Sequence, residues 1–321
     1  MNFFESIHQD VLYALRGMRR SPLLTAAAVL SLGLGIGANT AIFSLIDAIM
    51  LRNLPVRSPQ ELVQLAWGQD GKWPERFIDS TSGRGLEMGG RNVRLPFSYD
   101  TFQKIRARTT TLLGVTGRNH LYQPAIVIAG GRADTASADL VSGNFFDVLG
   151  VLPATGRLLA DADDRDDAAP AAVLTHAYWV RRFAADPEIS GKTMLINGTA
   201  FTIAGVAAEG FQGVEIGGSI DVYLPLHTQP LMSPARPAPD LRMQPEYWWV
   251  ELVGRRRPGV SEAQMRAELD TLFRQSLTPI GSGPIKPEDY PAFITGAASQ
   301  GQSRLRTQFA RPLTVLMTIA G

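Results

Sequence analysis

The sequence contains no cysteine. That one absence excludes disulfides, thiol catalysis and thiolate metal sites; it is compatible with a periplasm without demonstrating one. Histidine is nearly as scarce. His8, His120, His176 and His227 stand apart, none with a second histidine or a Glu-rich metal spacing beside it. Net charge is almost nil, with 31 Lys and Arg against 30 Asp and Glu, so nothing overall favours nucleic acid. No GxSxG elbow marks a serine hydrolase, and no repeat with a period of roughly 20–50 residues is visible. With 45% apolar and only 19% charged residues, the chain reads as folded rather than disordered.

What the sequence does have is one long uncharged run. Leu23 to Ile46 reads LLTAAAVLSLGLGIGANTAIFSLI, and apolar character resumes through Ala48 to Leu51. At about 1.5 Å per residue such a helix reaches roughly 36 Å, more than the roughly 30 Å of bilayer hydrocarbon. The run therefore predicts a transmembrane helix over 22–51, with the lipid bilayer as its solvent. Two alternatives stand beside it. One is a buried globular helix, although such helices are usually shorter. The other is a cleaved signal peptide, although the run outlasts an apolar region of roughly 7–15 residues and no small-x-small site closes it. Arg16, Arg19 and Arg20 precede the span and favour a cytoplasmic N-terminus; Arg52 and Arg57 beyond it pull the other way.

The span carries features a bare anchor does not need. Gly33 and Gly37 form a GxxxG spacing, and Ala41 extends the small face by another turn. Small residues so spaced let a second helix approach closely, although Gly and Ala are common in membrane helices anyway. Asn39 and Asp47 are polar groups expected to face protein rather than lipid. Before the span, Phe4, Ile7, Val11, Leu15 and Met18 recur every three or four residues, which predicts a cytoplasmic amphipathic helix over 1–21 lying on the membrane surface or docked on protein. Pro22 separates it from the span.

From about 58 to 308 no second span follows. Glu61 to Trp67 reads as a strand, and the Gly- and Arg-rich stretch to about Arg94 as a loop. Ser98 to Arg108 reads as a helix with Ser98 as N-cap and Phe102 and Ile105 inward. Pro124 to Ala129 reads as a strand, and Asn144 to Leu149 as a short helix closed by Gly150. Met194 to Ile196 and Phe201 to Val206 flank Asn197-Gly198, a hairpin signal, because Asn-Gly tolerates the positive φ of a type I′ turn. Asp221 to Leu226 and Tyr247 to Gly254 read as strands. Ser261 with Gln264 forms a capping box for a helix whose inner face is Met265, Leu269, Leu272 and Phe273. Ser276 to Gln302, rich in Gly and Pro, reads as loops. Strands and helices interleave, so the body is α+β. At the end, Pro312 precedes LTVLMTIAG, too short to cross a bilayer. It reads either as the start of a truncated second transmembrane helix over 309–321 or as a C-terminal core strand.

Three stretches imitate chemistry and fall short. Ser190-Gly191-Lys192-Thr193 resembles the end of a phosphate loop, but Asp186 stands where glycine is required and a strand follows. Asp161, Asp163, Asp164, Asp166 and Asp167 crowd one segment, but Asp166 and Ala172 occupy the Gly and Glu positions of an EF-hand, leaving a solvated acidic loop. Tyr247, Trp248 and Trp249 could stack a ligand, yet an apolar strand is the simpler home for them. No catalytic, cofactor-binding or metal residue is nominated, and the chain is read as non-enzymatic.

Four segments together resemble the MacB/FtsX type of ABC-transporter permease, in its duplicated orphan-permease branch: Leu12 to Pro55, Leu140 to Leu159, Ala172 to Ala207 and Phe309 to Gly321. Gly68 to Arg94 and Met232 to Tyr247 do not match it. The resemblance implies a bacterial inner-membrane protein, multi-pass in full length, with a periplasmic core domain over 52–308 made of two α+β lobes, one inserted in the other. It also implies partners: a separate cytoplasmic ABC ATPase that binds the ATP, a second permease unit, and a possible periplasmic partner. The expected function is to couple ATP hydrolysis to motion of the periplasmic domain, for efflux or envelope mechanotransmission. A membrane-tethered periplasmic binding or scaffold protein is the alternative. Ending at Gly321 before the family's later spans, this chain is not expected to transport by itself.

Overall fold

The computed structural model describes Tyr13, Arg16 and residues 18–46, 53–68, 73–88, 90–215, 217–232 and 239–302. The chain forms two compact units, Met1–Arg52 with Gln308–Gly321, and Asn53–Thr307. Most of the expected amphipathic helix, the end of the expected span including Asp47, and the expected second span lie outside the described residues.

In the first unit, helix α1 runs Pro22–Ile46. Its stretch Pro22–Ala41 has a mean hydropathy of 1.6 and is long and apolar enough to cross a membrane. Met18 to Arg20 are also helical, and Ser21 interrupts the two. Pro22 supplies the break because it has no N–H for the carbonyl four residues earlier. The Thr25 hydroxyl compensates, lying 3.0 Å from both the Met18 and the Ser21 carbonyl oxygens.

The second unit, the body, is built on strands β1 (Leu62–Gly68), β2 (Ser80–Thr81), β3 (Gly85–Met88), β4 (Arg91–Arg94), β5 (Pro96–Phe97), β6 (Leu112–His120), β7 (Ala125–Ala129), β8 (Arg132–Ala136) and β9 (Ala138–Val141). It continues with β10 (Pro153–Gly156), β11 (Ala171–Leu174), β12 (Thr193–Ile196), β13 (Thr199–Ala207), β14 (Val222–Pro225), β15 (Tyr247–Trp248), β16 (Val250–Arg256) and β17 (Ala292–Ala297). Helices α2 (Tyr99–Arg108), α3 (Phe145–Leu149), α4 (His176–Phe183) and α5 (Glu262–Ser276) pack on them.

All strands but β2 and β15 join one sheet ordered β3-β4-β1-β16-β6-β9-β14-β11-β13-β12-β7-β8, with β17 on β1, β5 on β16 and β10 on β13. Two units, β1-α2-β6 and β16-α5-β17, give the antiparallel order β17-β1-β16-β6 of a doubled βαβ arrangement. Everything from β7 to β14 is inserted between β6 and β16. This second half joins the first where β6 pairs with β9, Arg118 opposite Val141 and His120 opposite Asp139.

The alternation of strand side chains sorts the interior into two cores. Ala172 and Leu174, Val222 and Leu224, and Val250 and Leu252 face the larger one, with Phe102 and Ile105 of α2 and Met265, Leu269 and Phe273 of α5. Their neighbours Ala171, Val173, Tyr223 and Val253 face the other, with Phe145, Phe146 and Leu149 of α3.

Local signals held where the chain could satisfy them nearby. Ser98 caps α2 by accepting from Thr101 N. Ser261 and Gln264 cap α5 reciprocally. Asn197 and Gly198 take φ of 49° and 85° in the β12–β13 hairpin. Trp248 and Trp249 are buried rather than presented to a ligand.

Two expectations are corrected. Gly68 to Arg94 is not merely a loop: β3 and β4 form a hairpin from Gly85↔Arg94 to Met88↔Arg91, and only Val93 among these residues is buried. Ser276 to Gln302 contains β17, which pairs with β1 over six residues; Phe293, Ile294 and Thr295 are strand formers, but Pro291 and Gly296 bracket so short a run that the pairing, not the local sequence, extends it. The acidic segment is solvated as expected, with Asp161, Asp166 and Asp167 exposed, and it is also tied down. Arginines staple it: Arg157 to Asp163, Arg106 to Asp161, Arg165 to Asp167 and Arg242 to Asp166.

Candidate functional site

The two ends of the body meet at one place. Leu54 N donates to Ser299 O at 2.8 Å, Ala298 N to Leu62 O at 3.0 Å, and Gln302 N to Val214 O at 2.7 Å. Gly301, at φ 64°, brings the outgoing chain so close that a Cβ there would lie 2.6 Å from Val214 O and 2.9 Å from Leu54 Cδ2. The Gln302 amide donates to Gln64 Oε1 at 2.9 Å, and Gln64 in turn donates to the Leu252 carbonyl at 2.9 Å. The incoming chain, the outgoing chain and the 211–215 segment are therefore one hydrogen-bonded knot on the first strand of the sheet. A small cavity of about 110 Å³, lined by Leu54, Gln64, Met88, Val214 and Gln302, lies within it.

The incoming chain is held a second time by Arg255, 2% exposed. Its guanidinium donates to Arg57 O at 2.7 Å, Ser58 O at 3.1 Å, Val148 O at 2.7 Å and Leu149 O at 3.1 Å, and pairs with Glu61 at 2.9 Å. Val148 and Leu149 end α3, where unpaired carbonyls and the helix dipole both favour a cation.

Next to this knot, across β16, β6 and β9, lies a buried charge network. Arg118 Nε donates to Glu251 at 3.0 Å and Nη1 to Asp139 at 3.0 Å, with Arg118, Asp139 and Glu251 all 2% exposed or less. Asp139 also meets His120 Nδ1 at 2.8 Å. Glu215, in the segment bonded to the outgoing chain, bridges Arg118 Nη2 at 3.8 Å and Arg84. Burial disfavours the charged form of Arg118. The surrounding Asp139, Glu251 and Glu215 carboxylates outweigh that and hold its pKa above the ordinary arginine value. Burial pushes the Tyr223 phenol well up, and Asp139 adds to the shift. The network thus couples both halves of the sheet to the point where the chain leaves the body.

The residues singled out from sequence lie elsewhere. Gly33, Gly37, Asn39 and Ala41 are in α1 and exposed, and a Cβ at either glycine would meet nothing within 4 Å. Arg16, Arg19 and Arg20 are helical and exposed. Both groups belong to the first unit and the charge network to the second. Sequence reasoning misses Arg118, Asp139, Glu251 and Arg255. The available signal was Glu251 and Arg255 on the same side of a strand among apolar Val250, Leu252 and Val253, which demands buried partners.

The remaining stretches that imitate chemistry have their groups engaged structurally. Lys192 pairs with Asp186, Ser190 Oγ donates to Ala204 O at 2.9 Å, and β12 follows where a phosphate loop needs a helix. Among the described residues no group of three His, Asp or Glu side chains is placed to hold a metal. His227 lies beside Asp164 at 3.5 Å, so it is not solitary.

Residues 25–272 match the family model described as MacB-like periplasmic core domain. Among solved structures, the chain is similar to the periplasmic region of MacB from Actinobacillus actinomycetemcomitans, with 16% identity over 87% of this chain and 97% of that one, at TM-score 0.49. A domain from Porphyromonas gingivalis described as that of a permease protein shares 14% identity over 79% of this chain and 98% of its own, at TM-score 0.50. The extracellular domain of the noncanonic ABC-type transporter YknZ from Gram-positive bacteria shares 11% over 67% and 93%, at TM-score 0.43. At such identities the likeness is one of fold. No curated protein matches the chain by sequence.

Proposed function

The chain belongs to the MacB-like periplasmic core domain family, and we propose that it is the force-receiving part of an ABC-transporter permease, α1 anchoring it and the body lying outside the cytoplasm. In this reading a separate cytoplasmic ATPase binds and hydrolyses ATP, and the chain itself holds no cofactor. Hydrolysis moves the body, for efflux or for mechanotransmission across the envelope. Arg16, Arg19 and Arg20 keep the N-terminus on the cytoplasmic side of a bacterial inner membrane. Gly33, Gly37, Asn39 and Ala41 pack against another span, from the same full-length protein or from a second permease unit.

The observation that carries the reading is the knot at Leu54, Ser299 and Gln302. Both ends of the body leave side by side, bonded to each other and to the sheet. A displacement of either connecting segment is therefore delivered to β1 and, through Glu215, to the charge network. A loosely tethered scaffold would need no such junction.

The test is copurification. The full-length gene product, tagged and extracted in mild detergent, is expected to bring down a nucleotide-binding ATPase chain, whose turnover changes when the Glu215–Arg118 link is cut by Glu215→Gln. A product that purifies without any ATPase supports the tethered binding or scaffold protein instead.

A further inference from the structure

One edge of the large sheet is left open in a way that suits a partner strand. β17 is bonded to β1 from Val63↔Ala297 to Gly68↔Ala292. Among the described residues, no backbone or side-chain hydrogen bond reaches its other edge. Exposed edges are ordinarily blunted by charges or proline within the strand. Ala292 to Ala297, AFITGA, contains neither, and the only proline nearby is Pro291, just before it.

The charges lie across a groove instead. β16 and β17 are each antiparallel to β1, so α5, which connects them, runs back alongside β17. Between that helix and the start of β17 is an open groove of about 750 Å³ with Phe293 and Ala292 at its strand side. Its helix side carries Glu262, Arg266, Asp270 and Arg274, with the small Ala263 and Ala267 leaving room beside them. Asp270 and Arg274 pair with each other at 3.1 Å. Glu262 and Arg266 are exposed, and no ion pair or hydrogen bond engages their side chains among the described residues.

The spacing of that stripe matches an extended chain. Four helical residues rise about 6 Å, and two strand residues about 6.7 Å. Successive same-face side chains of a strand laid along β17 would therefore meet successive charges of the helix. We infer that this groove receives an extended segment of a partner protein, whose backbone extends the sheet at β17 and whose alternate side chains are basic and acidic, opposite Glu262 and Arg266. Backbone pairing supplies affinity, and the charge order supplies specificity. Because the pattern alternates, it reads the same in either strand direction.

The test uses the whole chain in detergent at low salt and a fluorescein-labelled octapeptide, Lys-Thr-Glu-Thr-Lys-Thr-Glu-Thr, followed by anisotropy. A peptide of the same composition, Lys-Lys-Thr-Thr-Thr-Thr-Glu-Glu, in which no lysine stands two residues from a glutamate, is a segregated control expected to bind about twofold more weakly, the effect of one exposed ion pair. Backbone N-methylation of the alternating peptide abolishes binding. Arg266→Glu reverses the preference, so that a peptide with lysine at three successive alternate positions binds better than the alternating one. A merely structural role for Arg266 would not produce that reversal. Equal binding of alternating and segregated peptides, or an unchanged preference in Arg266→Glu, overturns the proposal. So does a concentration-dependent dimer that the same substitution dissociates, which would assign the edge to a second copy of the chain.

Discussion

Leu54 and Ser299 stand at opposite ends of the body's sequence, and a single backbone hydrogen bond of 2.8 Å joins them. Leu54→Pro removes that donor while leaving the carbonyl of Ser299 unpaired, and the expected cost is about 1–3 kcal/mol. The urea midpoint of the detergent-solubilised chain measures it, followed by the fluorescence of buried Trp67, Trp248 and Trp249. An unchanged midpoint would mean that the knot does not hold the body's ends.

Arg118 and Glu215 should respond very differently to substitution. Arg118→Met leaves Asp139 and Glu251 buried without their shared cation, and about 3–5 kcal/mol is expected to be lost. Glu215 is 16% exposed and water can reach it, so Glu215→Gln should cost about 1 kcal/mol. Comparable losses for the two would show that the network does not centre on Arg118.

Acid should weaken the docking of α5. Glu268 accepts from Thr110 N at 2.8 Å and Thr111 N at 3.1 Å, and from the hydroxyls of Thr109, Thr110 and Thr111. Burial raises its pKa, but these donors outweigh it and hold the carboxyl at about 2. A folded-state value below the ordinary 4.5 means the contribution is complete above pH 4.5 and fades as pH falls toward 2. The group is largely solvated, so the amount lost is about 1 kcal/mol. Stability measured from pH 5 downward should show the decline, and Glu268→Gln should flatten it.

Gly205 stands opposite Gly156 of β10 and Val173 of β11, just past the point where β11 shifts register against β13. A Cβ there would lie 2.5 Å from the carbonyl oxygens of Thr155 and Arg157, both backbone and unable to yield. Gly205→Ala should cost about 2–3 kcal/mol. At Gly191 a Cβ would meet nothing within 4 Å, but its φ of 87° is left-handed, so Gly191→Ala should cost only that backbone strain, about 1–2 kcal/mol.

Within the membrane helix the expected effect lies in association, not folding. A Cβ added at Gly33 or Gly37 would meet nothing within 4 Å among the described residues, which leaves room for Gly33→Leu and Gly37→Leu. If the stripe packs on another span, each should abolish crosslinking between spans in membranes while leaving the body's melting transition unmoved. Undiminished crosslinking would place the contact on another face.

Much of this fold could be read locally and some could not. Ser98, Ser261 with Gln264, and Asn197-Gly198 announce their structures because each completes its hydrogen bonds within a few residues. β17 gives weaker notice: Phe293, Ile294 and Thr295 favour a strand, but they are only three residues between Pro291 and Gly296, and the strand reaches six because β1 accepts it from far along the chain. The charge network was hidden for a similar reason. Arg118, Asp139 and Glu251 are unremarkable polar residues until three strands from distant parts of the sequence place them together.

The insertion of β7 to β14 between β6 and β16 also sets an order of events on the ribosome. The inserted half is fully synthesised while the first half still lacks β16, α5 and β17. β1 and β6 must wait, unpaired with each other, until the strand that separates them emerges. The nascent body therefore matures from its middle outward, and β17, the last strand among the described residues, is the one that brings the two ends together.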